Sequence, residues 1–178
     1  FLLILILLIF YRSPYIFLEG RFFAEEGTIW FRNILINGKL DTLFFIYEIS
    51  GYIHLWMNIA AFFSGLVDIK YAPLVTSYFA FFLLLYIFIY ILKSDSILLT
   101  NKNFKYIGCL IILFSPVMTA EVWMNSLNAM SYFGIFAFLV LFEKKETKFR
   151  YINYLVFVIS GLSGYYASAL APLYLIKY

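Results

Sequence analysis

Between Ala72 and Leu92 the chain runs for 21 residues without a charged side chain, and Lys93 closes the run. That length matches what a helix needs to cross the ~30 Å hydrocarbon core of a bilayer. A surface helix of a water-soluble protein would interleave charged residues along such a stretch. The rest of the chain shares the bias: 65% of the 178 residues are hydrophobic and 13% are charged, against roughly 45–50% and about 25% in soluble domains. A globule this small cannot hide 22 Phe and 16 Tyr from water. The expected fold class is therefore all-α membrane, a polytopic helical bundle with a large first external loop containing interfacial helices.

Spans are expected at 1–11 (partial), 72–92, 106–118, 122–142, 151–163 and 167–178 (partial). The two terminal runs are shorter than the ~20 residues of a complete span, so the intact protein is expected to extend past both ends. Lys and Arg counts give the orientation. Lys93–Lys105 carries Lys93, Lys102 and Lys105, and Glu143–Arg150 carries Lys144, Lys145, Lys148 and Arg150. Two crossings separate these basic loops, so they share a side, and that side is expected to be cytoplasmic. The corner Thr119–Glu121, the turn Ser160–Gly164 and a long loop, 12–71, then lie outside.

The first part of that loop sets Arg12, Arg21, Arg32 and Lys39 against Glu19, Glu25, Glu26, Asp41 and Glu48, with no positive excess. Parity makes Gly51–Val67 a helix lying in the outer interface rather than a span. His54, Asn58, Ala61, Gly65 and Asp68 share one of its faces. A second short helix is expected over Thr28–Ile36, with Thr28 as N-cap and Asn37–Gly38 as its end. The net charge of +3 is spread over the loops and gives no footprint for nucleic acid. Cys109 has no partner for an internal disulfide and reads as a small buried apolar residue.

Four groups of residues are candidates for chemistry. Glu25 and Glu26 are adjacent carboxylates, suited to general-base work or metal binding. Like-charge repulsion raises the pKa of such a pair while a helix N-terminus lowers it. Arg21 and Arg12 have the guanidinium geometry that clamps phosphate. The alternative is that the acids complement a helix dipole and the arginines meet lipid headgroups. Glu121, Asn125 and Asn128 fall at i, i+4 and i+7, which on one helix lines either a wet cavity or the interface. His54 with Asn58 is a third candidate, either substrate-binding or structural. Ser160–Ser168, rich in small residues, favours close helix packing. No P-loop, zinc spacing or Gly-x-Ser-x-Gly elbow is present.

From Arg21 to Gly27 the sequence resembles the GT-C-type integral membrane glycosyltransferases of bacteria. Within these it is similar to uncharacterised multi-pass proteins whose first external loop carries a Trp-Ala-Glu-Asp-Gly-like motif. The matching residues are Phe23-Ala24-Glu25-Glu26-Gly27. Gly51-Tyr52-Ile53-His54-Leu55, Tyr71-Ala72-Pro73-Leu74, Glu121 with Asn125, and Ala171-Pro172-Leu173-Tyr174 follow in the same order. The resemblance implies a polyprenyl-phosphate-linked sugar donor, a glycan or lipid acceptor, and action at the outer side of the bacterial cytoplasmic membrane. It places the active-site acid at Glu26, with Glu25 adjacent, where the group has Asp. Arg21, His54, Glu121 and Asn125 would bind phosphate or substrate, and a divalent metal would sit, if anywhere, on Glu25 and Glu26. The rival readings are a transporter or flippase for a lipid-linked or polar substrate, and a non-catalytic subunit of an envelope assembly. Transporters place ionisable groups near the bilayer midplane, whereas here the acids cluster outside.

Overall fold

The computed structural model describes residues 1–94, 96–115, 122–144 and 150–177. The chain is helical with no barrel. Its longest element is α6 (Ala72–Lys93, 22 residues), about 33 Å at 1.5 Å per residue. This is the one described helix long and apolar enough to cross a membrane. Around it pack α1 (Leu2–Arg12), α2 (Pro14–Leu18), α7 (Lys102–Phe114) and α8 (Met130–Leu141). Further out come α9 (Arg150–Gly161), α10 (Tyr165–Ala169) and α11 (Ala171–Lys177).

Side-chain contacts give the direction of each helix. Arg12 at the end of α1 donates to the Leu113 carbonyl at the end of α7, and Lys105 at the start of α7 donates to the carbonyls of Leu92 and Ser94. Ser126 before α8 reaches Thr76 near the start of α6, and Phe142 after α8 meets Ser96 and Ile97. Lys177 at the end of α11 returns to the carbonyls of Leu141 and Glu143. The helices therefore alternate in direction. The described residues of both basic segments lie at one end of the bundle, and the first loop lies at the other.

Several expected spans differ in the structure from their sequence bounds. Val122–Phe142 is not one helix: Met124 has φ +51, a 3-10 turn covers Leu127–Ala129, and the α-helix begins at Met130. The Asn125 side chain causes the break. Its Oδ1 accepts the Leu127 and Asn128 N–H groups at 2.8 and 3.2 Å, in competition with the helical pattern. The segment expected at 106–118 is helical from Lys102 to Phe114, with 116–118 and the expected corner Thr119–Glu121 outside the described residues, and 151–163 is helical from Arg150 to Gly161. The last expected run divides into α10 and α11.

The loop 12–71 holds more structure than the two helices expected of it. A π-helical turn, Glu26–Phe31, runs into α3 (Arg32–Asn37), which stops at Gly38 with φ +96. The end is where the sequence placed it. The start is earlier, and Thr28 is inside the turn rather than its N-cap. Then come α4 (Lys39–Leu43), a two-stranded hairpin pairing β1 (Ile46–Tyr47) with β2 (Tyr52–Ile53), and α5 (Leu55–Ser64). Trp30, Phe31, Ile34, Met57, Ala61, Ala72 and Leu127 form a satellite core that seats this loop on the end of the bundle.

The interior is built mainly from apolar side chains such as Leu5, Ile9, Leu84, Ile87, Phe88, Phe133 and Phe136, with a minority of polar residues among them, while large apolar side chains also cover the outer faces. Asn58, Thr76, Ser77, Asn125, Ser126, Asn153, Ser160 and Ser163 are buried. Leu3, Leu7, Phe82, Phe104, Ile111, Phe114, Leu155 and Val158 are exposed on the outer faces of the helices. In α5 the small and polar positions Asn58, Ala61 and Ser64 face inward while Phe63 is exposed.

Candidate functional site

The segment bearing the two acids is fastened to the bundle at three points. Gly20 makes the turn into it with φ +70, and a Cβ there would lie 2.6 Å from the Leu74 backbone nitrogen. Only glycine combines that backbone angle with so close an approach to the start of α6. Ten residues on, Trp30 is sealed from solvent and its indole N–H donates to Asn58 Oδ1 at 2.8 Å. The Asn58 amide in turn donates to the carbonyls of Leu43 and Phe45 at 3.2 and 2.8 Å. One buried asparagine thus joins the π-turn, α4, the hairpin and α5.

Glu26 is the third fastening. It is 1% exposed. Oε2 accepts the Phe23 N–H at 3.1 Å, closing the tight turn that precedes the helix. Oε1 accepts the Ser126 N–H at 2.8 Å and the Leu127 N–H at 3.4 Å, where the chain enters the 3-10 turn ahead of α8. A carboxylate at the first turn of a helix meets orphan N–H donors and the positive end of the dipole. Burial pushes the Glu26 pKa up to about 7, and the N–H groups of Phe23, Ser126 and Leu127 together with the Arg21 charge pull against that rise. Both oxygens accept N–H groups, an arrangement that the ionised form uses in full once the pH passes about 7.

The residues before each side of this junction are backbone outliers. Ala24 has φ +47 and Met124 has φ +51, and these are the non-glycine residues with positive φ among the described residues. The left-handed region costs an L-residue roughly 1–2 kcal/mol. Strain of this kind persists where the surroundings enforce it, and here it is concentrated on the two segments that Glu26 joins.

The other sequence candidates are placed as follows. Glu25 precedes the π-turn and is half-buried beside Glu26. Arg21 lies with its guanidinium 4.8 Å over the Phe23 ring and close enough to favour the Glu26 anion. Arg12 lies with its guanidinium 4.0 Å over the Trp123 ring and donates to the Leu113 carbonyl. Asn125 is brought beside Glu26 through the Ser126–Leu127 amides, but in a turn rather than on a helical face with Asn128. Its Nδ2 is buried without a protein partner. Glu121 lies outside the described residues.

His54 is 4% exposed, with Nε2 3.0 Å from Ser50 Oγ and its ring packed on Tyr52 and Trp30. Burial lowers its pKa to about 4, so the ring is neutral at pH 7 and packs against Trp30 of the Trp30–Asn58 scaffold. No group of three or more His, Cys, Asp or Glu side chains suited to a metal ion occurs among the described residues.

Sequence reasoning missed the pairing of Glu26 with Ser126 and of Trp30 with Asn58. The small, polar face of 54–68 was the available signal for the second. Comparison with family models, curated proteins and solved structures finds no match for the chain.

Proposed function

We propose that this chain is part of a membrane glycosyltransferase of the GT-C type. It would move a sugar from a polyprenyl-phosphate carrier to an envelope glycan or lipid acceptor at the outer face of the bacterial cytoplasmic membrane. The many large apolar side chains exposed on the outer faces support the membrane setting. A helical bundle that, beyond its apolar core, leaves large Leu, Ile and Phe side chains exposed on its outer faces is the arrangement a lipid solvent favours. The alternation of helix direction, with the cations gathered at one end, supports the orientation.

The observation that carries the enzymatic reading is the paired backbone strain at Ala24 and Met124 around the Glu26–Ser126 junction. A loop held this firmly, against its own backbone preference, is what placing an acid for chemistry requires. The sequence reading gave the base role to Glu26 first. Its carboxylate is sealed with both oxygens engaged, so we assign the acid in reach of a substrate to Glu25 and the positioning role to Glu26. Glu25 takes the proton of an acceptor hydroxyl. The hydroxyl oxygen bonds to the anomeric carbon, the bond from that carbon to the phosphate oxygen breaks, and the phosphate leaves with its charge matched by Arg21.

The test is sugar transfer in membranes expressing the full-length gene. E25Q is expected to lower transfer at least 100-fold at unchanged protein level, and E26Q to lower it by about tenfold through misplacement. Undiminished transfer in E25Q would refute the assignment and favour a scaffold role for the loop.

A further inference from the structure

The helical run Leu127–Leu141, a 3-10 turn followed by α8, begins at the end of the bundle that carries the first loop, with no acid of its own in its first turn. The acid at its start is Glu26, 100 positions earlier in the chain, whose Oε1 accepts the Ser126 and Leu127 N–H groups at 2.8 and 3.4 Å. The N–H groups and the positive dipole end of a helix start favour an anion, and here a carboxyl fills that place. Its cover is one turn thick: Ala24 is exposed, and Phe23, Glu25 and Gly27 are half-buried.

Two features mark Glu26 as a stand-in for another anion. Asn125 is 1% exposed and its Nδ2 has no protein partner, although its Oδ1 caps the Leu127 and Asn128 N–H groups at 2.8 and 3.2 Å. Nδ2 shares a carbon with that Oδ1, so its donors lie beside the same amides. A buried donor without an acceptor is costly and rare, and Glu26 does not supply one, with Oε2 turned to the Phe23 N–H. The second feature is strain. The closed junction coincides with positive φ at Ala24 and Met124, a cost that lifting the turn relieves. A phosphate monoester presents three terminal oxygens, enough for the Ser126 N–H, the Leu127 N–H and Asn125 Nδ2 together. The Arg21 charge that acts on the Glu26 carboxyl would act on it too. A phosphodiester, with two such oxygens, matches the donors less well.

We propose that the backbone amides of Ser126 and Leu127 with the side-chain amide of Asn125 form a binding site for a phosphate monoester, which Glu26 occupies in the observed, closed arrangement and vacates when the 23–27 turn lifts. The identity of the ligand rests on the transferase reading above: the monoester is the polyprenyl phosphate left when the sugar departs. Glu26 holds Glu25 in place before transfer and yields to the phosphate after it.

The experiment titrates the full-length protein in a neutral detergent with a short-chain polyprenyl phosphate by calorimetry, alone and against inorganic phosphate or phosphatidylglycerol. The polyprenyl phosphate is expected to bind and inorganic phosphate to compete with it, while phosphatidylglycerol, a diester, does not. N125D keeps the oxygen that caps the turn and puts a negative oxygen where the donor stood, so it should weaken binding about tenfold. E26Q removes the competing charge and should tighten binding about tenfold. A24G eases the closed turn and should weaken binding about threefold. Should N125D fail to fold, E26Q and A24G decide, because a purely structural clasp predicts no gain of affinity in E26Q. Unchanged affinity in E26Q, or competition by phosphatidylglycerol equal to that of inorganic phosphate, overturns the proposal. Phosphate binding with the expected pattern in a protein that transfers no sugar would sink the transferase reading and leave the site standing. Loss of transfer in E25Q with wild-type binding in E26Q and N125D would do the reverse.

Discussion

Two buried groups in the first loop give the protein opposite dependences on pH, and a pair of substitutions separates them. The Glu26 carboxyl rises from 4.5 to about 7 on folding. Between those values the folded state holds a proton that the unfolded chain has released. Its contribution is complete below pH 4.5 and is lost as the pH climbs through 7. At 1.36 kcal/mol per unit, the difference is about 3 kcal/mol.

His54 falls from 6.5 to about 4. Here the unfolded chain holds the extra proton, so the contribution is complete above pH 6.5 and is lost as the pH falls through 4. Solvent near the ring screens part of it, leaving about 2 kcal/mol. The two slopes oppose each other between about pH 4.5 and 6.5, and the wild-type protein should change little across that window.

E26Q removes one slope, so its stability should rise by about 2 kcal/mol from pH 4 to 6.5. H54Q removes the other, so its stability should fall by about 3 kcal/mol from pH 4.5 to 7. Unfolding in mixed detergent micelles, followed by tryptophan fluorescence at half-unit pH steps, measures both. Parallel curves for wild type and E26Q would refute the burial argument for Glu26.

G20A adds a Cβ at φ +70 that meets the Leu74 nitrogen at 2.6 Å, whereas G38A adds one at φ +96 with nothing within 4 Å. Denaturation should show a loss of more than about 2 kcal/mol for the first and about 1 kcal/mol for the second. N58A strips partners from the Trp30 indole and from two carbonyls. It should cost about 2–4 kcal/mol and speed hydrogen exchange in α4 and the hairpin before the bundle.

The parts of this structure legible in the sequence are those that one-dimensional patterns encode. The charge-free run gave α6 to within one residue, Gly38 gave the end of α3, and the lysine counts put the described parts of the two basic segments at one end. Val122–Phe142 misled because hydropathy registers the composition of a run but not an asparagine side chain capping amides two and three residues ahead. The segments 14–18 and 39–43 are too short to show a helical period of their own and form against α6 and α5. At the candidate site, adjacency made Glu25 and Glu26 visible. That one is half-buried and the other sealed depends on Ser126, which no local pattern connects to residue 26.

That separation has a consequence for how the chain is made. The Oε1 partner of Glu26 lies 100 positions further along, and at roughly 5–20 residues per second its synthesis takes about 5–20 s. Through that interval Glu26 can hold the Phe23 amide but has no second anchor, and Ala24 has less reason to keep its costly angle. The first loop is thus emitted early and completed late. Its final shape waits on the arrival of the segment ahead of α8, and a chain stalled before residue 126 would present the acid pair unclasped.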